Sequence, residues 1–223
     1  MRGAPPLRGD AGREGEAALS ATPVEFWFEF ASTYSYPAAA RVEAAARAAR
    51  VALLWRAFLL GPIFQQQGWN DSPFNLYPTK GRYMWRDLAR ICAEHSLPLR
   101  QPSRFPRGSL PATRVACHFA GEPWLPAFVR GVYQANFAED RDISDASVIE
   151  ACLDALGQPG AKRIEEAQTS ESKEQLRAQG QRATQLGIFG APSFVVGDEL
   201  FWGNDRLEAA LAWARRAHAS SAS

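Results

Sequence analysis

The chain has 223 residues, 46% of them apolar, and 25 Lys and Arg set against 24 Asp and Glu give a net charge of +1. That length allows one large domain or a small domain carrying an insertion, and the apolar content allows a sizeable core. With no block of one charge sign, nucleic acid and acidic membrane surfaces are excluded as main partners, and no stretch approaches the roughly 20 apolar residues of a membrane span.

Residues 1–22 mix Gly, Pro, Arg and Ala with Asp10, Glu14 and Glu16 and contain no apolar run. They read as a disordered tail rather than a secretory signal, and the acids argue against an organelle transit peptide. Val24–Phe30 follows as a strand. Val24, Phe26, Phe28 and Phe30 share one face at period two, and Trp27 adds apolar bulk to the other, so both faces are expected to be covered. Ala31-Ser32-Thr33-Tyr34-Ser35 supplies helix caps, and an Ala-rich helix runs to about Arg50 with Pro37 tolerated in its first turn. Val51–Phe58 has strand length and completes a βαβ unit.

Residues 60–170 carry helical spacing at Gly81–His95, Leu110–Ala120, Pro123–Phe137 and Asp145–Leu156, separated by loops rich in Pro, Gly and Ser. Ser170–Leu186 is a further helix stopped by Gly187. Ser193–Val196 and Leu200–Trp202 read as a hairpin, and Asn204 or Asp205 caps a last helix to about Ala217. The order βαβ, helical block, α, ββ, α is that of an α/β thioredoxin-like fold with a large all-helical insertion, as in DsbA-like proteins. The expected division is a tail at 1–22, a discontinuous thioredoxin-like domain at 23–59 and 171–218, an inserted helical domain at 60–170, and a loose tail at 219–223.

The loop after the first strand of such a fold leads into a helix N-terminus, whose N–H groups and dipole favour a negative sulfur. Redox members place Cys-x-x-Cys there. Here the four residues are Ser32-Thr33-Tyr34-Ser35, so no disulfide with a partner can form at that point. A serine hydroxyl can still donate to a bound thiolate and lower its pKa; a helix cap is the plainer role. Cys92, Cys117 and Cys152 are widely spaced, with no Cys-x-x-Cys and no zinc spacing, and read as reduced, buried thiols of a cytoplasmic protein. His95, His118 and His218 share no spacing that would make them metal ligands or catalysts.

The run Val24-Glu25-Phe26-Trp27-Phe28-Glu29-Phe30-Ala31-Ser32-Thr33-Tyr34-Ser35-Tyr36 is similar to the opening of the 2-hydroxychromene-2-carboxylate isomerase and kappa-class glutathione transferase family. There an aromatic-acid-aromatic strand runs into Ser-Pro-x-Ser-Tyr, and the first serine contacts the glutathione sulfur. The resemblance implies that role for Ser32. The family's proline after this serine is Thr33 here. Gly187-Ile188-Phe189-Gly190-Ala191-Pro192-Ser193-Phe194 also matches, and it implies a cis Ala191–Pro192 bond beside the helix N-terminus. Ala191 and Pro192 would then present backbone groups to the glutathione peptide.

Phe201-Trp202-Gly203-Asn204-Asp205-Arg206 resembles the family's segment before the last helix, which implies that Asn204 and Asp205 hold the γ-glutamyl end and that Trp202 is a further glutathione-binding residue. An N-cap role for Asp205 is compatible with this. Gly68-Trp69-Asn70-Asp71-Ser72-Pro73 and Thr79-Lys80-Gly81-Arg82-Tyr83-Met84 resemble a further pair of segments. They imply Asn70 near the sulfur, with Asn75 as a rival, and Lys80 at the glycyl carboxylate. Trp69, Phe74, Tyr83 and Trp85 are candidates for an aromatic wall.

The resemblance therefore implies glutathione as cofactor and a small aromatic substrate, with no nucleic acid or membrane partner and a homodimer left open. The activity it implies is cis-trans isomerisation of 2-hydroxychromene-2-carboxylate or a related aromatic pyruvate-type compound, a step of aromatic catabolism. A kappa-like transferase or peroxidase, or a non-redox thioredoxin-fold binding protein, are the alternatives.

Overall fold

A computed structural model describes residues 20–221; residues 1–19 of the tail expected at 1–22 and the last two residues lie outside the described residues, while residues 20–22 of that expected tail belong to a strand. The first described element is β1 (Ser20–Phe28), four residues ahead of the expected start at Val24. α1 (Ser35–Ala49) and β2 (Val51–Ala57) follow, joined by Arg50 in a left-handed conformation. The helical block comprises α2 (Leu60–Gln66), α3 (Pro73–Leu76), α4 (Pro78–Glu94), α5 (Leu110–His118), α6 (Leu125–Phe137), α7 (Ala146–Asp154) and α8 (Gly160–Glu166). Then come α9 (Ser170–Gln185), β3 (Ser193–Val196), β4 (Glu199–Trp202), a single 3₁₀ turn at Asn204–Arg206, and α10 (Leu207–Ser221).

The sheet order is β2-β1-β3-β4. β1 runs parallel to β2, with Phe26 opposite Trp55, and antiparallel to β3, with Phe26 opposite Phe194. β3 and β4 form a hairpin across Gly197-Asp198, and Gly197 has φ of 60°. A positive φ at the first of two turn residues suits the right-handed twist of the flanking strands and favours glycine. This is the thioredoxin-like arrangement, with the helices from α2 to α8 between β2 and α9.

The sequence alternation in β1 explains how the sheet is covered. Val24, Phe26, Phe28 and Phe30 are fully buried in the main core with Val42, Leu207, Ala210 and Tyr133, under α1, α6 and α10. Trp27 is fully buried on the other face in a smaller cluster with Phe58, Ile63, Ala183, Ile188 and Val195, under α2 and α9. Each such ring removes enough apolar surface from water to contribute about 1.5–3 kcal/mol. Phe26 stacks on Phe194 at 5.4 Å and meets Trp55 edge-on at 5.2 Å, which fixes β1 between its neighbours.

Two sequence expectations are corrected. Neither Asn204 nor Asp205 caps the last helix: the 3₁₀ turn intervenes and makes no side-chain cap bond. The reason is that Asn204 Oδ1 accepts instead from the Arg41 guanidinium of α1 at 3.1 Å. The last helix also continues past Ala217 to Ser221.

Candidate active site

The loop between β1 and α1 turns on a short bond from Ser32 N–H to Glu29 O (3.0 Å). That brings Ser32 to the threshold of α1, where its Oγ accepts a long bond from Ser35 N–H (3.4 Å) and donates to Ala191 O (2.9 Å). The helix-cap role is thus present but weak, and the hydroxyl proton points at a segment 159 positions away. Ala191–Pro192 is cis. Ala191 spends its carbonyl on Ser32, while its N–H carries no bond among the described residues. Gly203 N–H donates to Pro192 O (2.9 Å), which draws the segment Trp202–Asp205 alongside the cis proline.

Around this junction lies a cleft of about 850 Å³. Ser32, Asn70, Lys80, Ala191, Pro192, Trp202, Asn204 and Asp205 all line it. They come from five separate segments of the chain, so the fold brings together every site residue the sequence singled out. It also separates the two asparagines, only one of which lines the cleft. Asn75 is absent from the lining, because its amide nitrogen donates to the Asp71 carboxylate and to Phe105 O (3.0 Å). Asn70 is exposed in the cleft. Of the four aromatic candidates, Trp69, Phe74 and Tyr83 reach the wall; Trp85 does not, and instead backs Phe105 edge-on at 5.1 Å.

The lining carries charges of both signs. Lys80 is exposed near the start of α4 and has no ion-pair partner among the described residues. A cation in the first turn faces the positive end of the helix dipole, so the position gains nothing from the helix itself. Asp205 is also exposed and, among the described residues, pairs only with Arg206 at 3.3 Å, both side chains well solvated. Such a pair is weak and leaves the carboxylate available. Trp202 leans on Phe189 at 4.8 Å and covers Gly190, where a Cβ would come within 2.5 Å of the indole nitrogen.

Several lining groups were not singled out from sequence. Tyr34 donates to Asp87 (3.0 Å), and burial together with that carboxylate pushes its phenol well up. Arg107 is buried and committed to Asp140, Asn136 and the Arg141 carbonyl. Glu29 is 6% exposed, and its carboxylate accepts from Ala31 N–H (2.9 Å) and from the Ser109 hydroxyl. Burial pushes Glu29 up to about 7, against the opposing pull of those donors. The signal available for it was an acid between Phe28 and Phe30 in the strand expected from sequence, just past the observed end of β1. None of the three cysteines lines the cleft, and burial pushes Cys92 and Cys117 up to about 11.

Residues 23–212 match the DSBA-like thioredoxin domain. The chain belongs to that family. Among DSBA-like proteins it is similar to a 2-hydroxychromene-2-carboxylate isomerase of Sphingobium xenophagum, 28% identical over 187 residues, covering 83% of this chain and 94% of the relative. It is also similar to human glutathione S-transferase kappa 1, 26% identical over 167 residues, covering 69% and 73%. A solved 2-hydroxychromene-2-carboxylate isomerase superposes with a TM-score of 0.77 at 26% identity, covering 90% of this DSBA-like chain and 99% of the other. No described helix is long and apolar enough to cross a membrane.

Proposed function

We propose that this DSBA-like protein is a glutathione-dependent enzyme that isomerises 2-hydroxychromene-2-carboxylate or a related aromatic pyruvate-type compound. The observation that carries the reading is the convergence on one cleft of Ser32, the cis Ala191–Pro192 segment, Lys80 and Asp205. The donor set suits the tripeptide: one cleft offers an uncommitted ammonium for a carboxylate, a solvated carboxylate for an ammonium, and a hydroxyl for the sulfur.

Bound glutathione would supply a nucleophilic thiolate that adds to the conjugated carbon and leaves again after the carbon–carbon bond has rotated. The chain's own residues would prepare that chemistry. Ser32 donates its hydroxyl proton toward the sulfur, and the N-terminus of α1 adds its dipole, both favouring the charged form. The Ala191 N–H pairs with the peptide backbone as an added strand would. Trp69, Phe74, Tyr83, Phe189 and Trp202 offer flat apolar surfaces that displace water from an aromatic substrate.

A second reading, a kappa-like transferase acting on uncharged electrophiles, is favoured by the cation inventory. Lys80 and Arg107 are the cations among the described lining residues, and Arg107 is committed to Asp140. With Lys80 on a glutathione carboxylate, no uncommitted cation remains in that lining for a substrate carboxylate. Calorimetry with millimolar glutathione tests both readings at once, since an absence of binding removes them together. Product analysis with an aromatic pyruvate and with a neutral electrophile then separates an isomer from a stable thioether.

A further inference from the structure

Glu29 is the acid of the cleft that lies inside the protein; Asp71, Asp87 and Asp205 stand at least partly exposed toward the rim. It sits three residues before Ser32, and its backbone carbonyl accepts both Ser32 N–H (3.0 Å) and the Tyr133 hydroxyl (2.9 Å). Each carboxylate oxygen takes one donor, Ala31 N–H on one and the Ser109 hydroxyl on the other. No cation pairs with it among the described residues. Arg107 lines the same cleft, but its guanidinium is given to Asp140 and its neighbours. At the threshold of α5 the facing group is Ser109, and from α6 it is Tyr133. The rim contributes Lys80, Tyr34 and the three aspartates.

A thiolate held beside Ser32 would stand in the same cleft as the buried Glu29 carboxylate. Two anions without a cation between them raise each other's energy, and the pair is relieved by keeping one proton. On the glutathione reading above, we propose that Glu29 is the proton acceptor of the site. The S–H bond breaks, its electron pair stays on sulfur, an O–H bond forms on Glu29, and the same proton returns when the thiol re-forms. No oxidant or reductant takes part. Burial that lifts Glu29 to about 7 supports this, because the carboxyl can then both gain and lose the proton near neutral pH.

The test is titration calorimetry of glutathione into the wild type and Glu29→Gln, in two buffers of different ionisation enthalpy, with thiolate absorbance read in parallel. At pH 8 the wild type is expected to form thiolate with almost no proton released to buffer, and Glu29→Gln to release about one proton per glutathione. At pH 6, where Glu29 is already protonated, the two proteins should release the same number. Ser109→Ala, which removes one donor from the carboxylate, should move the wild-type crossover to higher pH and covers the case in which Glu29→Gln does not fold. Glutathione binding with equal proton release in wild type and Glu29→Gln at pH 8 overturns the proposal alone, as does an unmoved crossover in Ser109→Ala. Absence of binding to the wild type overturns the glutathione reading as well.

Discussion

Ser32 has a single proton to donate, and in this structure it goes to Ala191 O. Ser32→Ala therefore removes a tie between the α1 threshold and the cis-proline segment as well as the donor proposed for the sulfur. The first loss is expected to cost about 1 kcal/mol of stability. The second is expected to raise the pKa of bound glutathione and lower turnover by roughly one to three powers of ten, with affinity nearly unchanged. Titrating thiolate absorbance in the binary complex checks this: superimposed titrations and equal rates would leave Ser32 a cap alone. Lys80 offers a cleaner separation of binding from folding. Its place in the first turn of α4 gives it no favourable dipole interaction. Lys80→Ala should weaken glutathione binding about tenfold, while thermal unfolding stays level or shifts slightly upward. A fall in stability that accounts for the weaker binding would show the lysine to be structural.

At the scale of elements, α3 and α4 form part of the cleft wall, and their contact depends on one missing atom. A Cβ on Gly81 would come within 2.2 Å of the Phe74 backbone carbonyl. That oxygen belongs to α3, which cannot swing aside as a flexible side chain can. Gly81→Ala is expected to push α3 outward and carry Phe74 away from Tyr34, whose rings now stand 6.2 Å apart. The cost should be about 1–3 kcal/mol, read by urea unfolding, with loss of aromatic substrate affinity greater than loss of glutathione affinity. Equal losses of both would contradict this assignment of the wall.

The same elements show what could be read from sequence and what could not. β1 was legible because Phe26 and Trp27 mark opposite faces of a strand, a purely local pattern. α2, α3 and α8 were not. Gly61 and Pro62 interrupt the first, the second is four residues long, and Gly160 opens the third only because Glu150 O lies 2.6 Å from where its Cβ would be. Asn204 was misread for a different reason. It has the chemistry of a helix cap, but its oxygen is claimed by Arg41, 163 positions earlier, and no local rule reveals such a partner. That Asn75 turns away from the cleft likewise depends on Phe105 O, which the fold brings to it.

For the whole molecule, Glu29 ties stability to pH. Its carboxyl is raised from 4.5 to about 7 in the folded chain. Between those values the folded state holds a proton that the unfolded state has shed, so stability must fall as pH rises through that window. This one group is expected to remove up to about 3 kcal/mol by pH 8. Glu29→Gln should flatten the profile and leave the variant more stable than the wild type above pH 7. Chemical denaturation at pH 5, 6, 7 and 8 measures this. Parallel profiles for the two proteins would mean that the carboxyl finds compensation when ionised.

The bond from Ser32 to Ala191 spans 159 positions. During synthesis at about 5–20 residues per second, the serine waits about 8 to 30 s for its partner to be made. β2 is translated soon after β1 and can cover one edge of it. The edge that receives Phe194 stays open throughout that wait. An unpaired edge on a strand as aromatic as Phe26-Trp27-Phe28 is a template for pairing with neighbouring nascent chains. The long gap that assembles the cleft from distant segments thus places the longest exposure to aggregation on the ribosome at the strand that carries the Phe26-Trp27-Phe28 run.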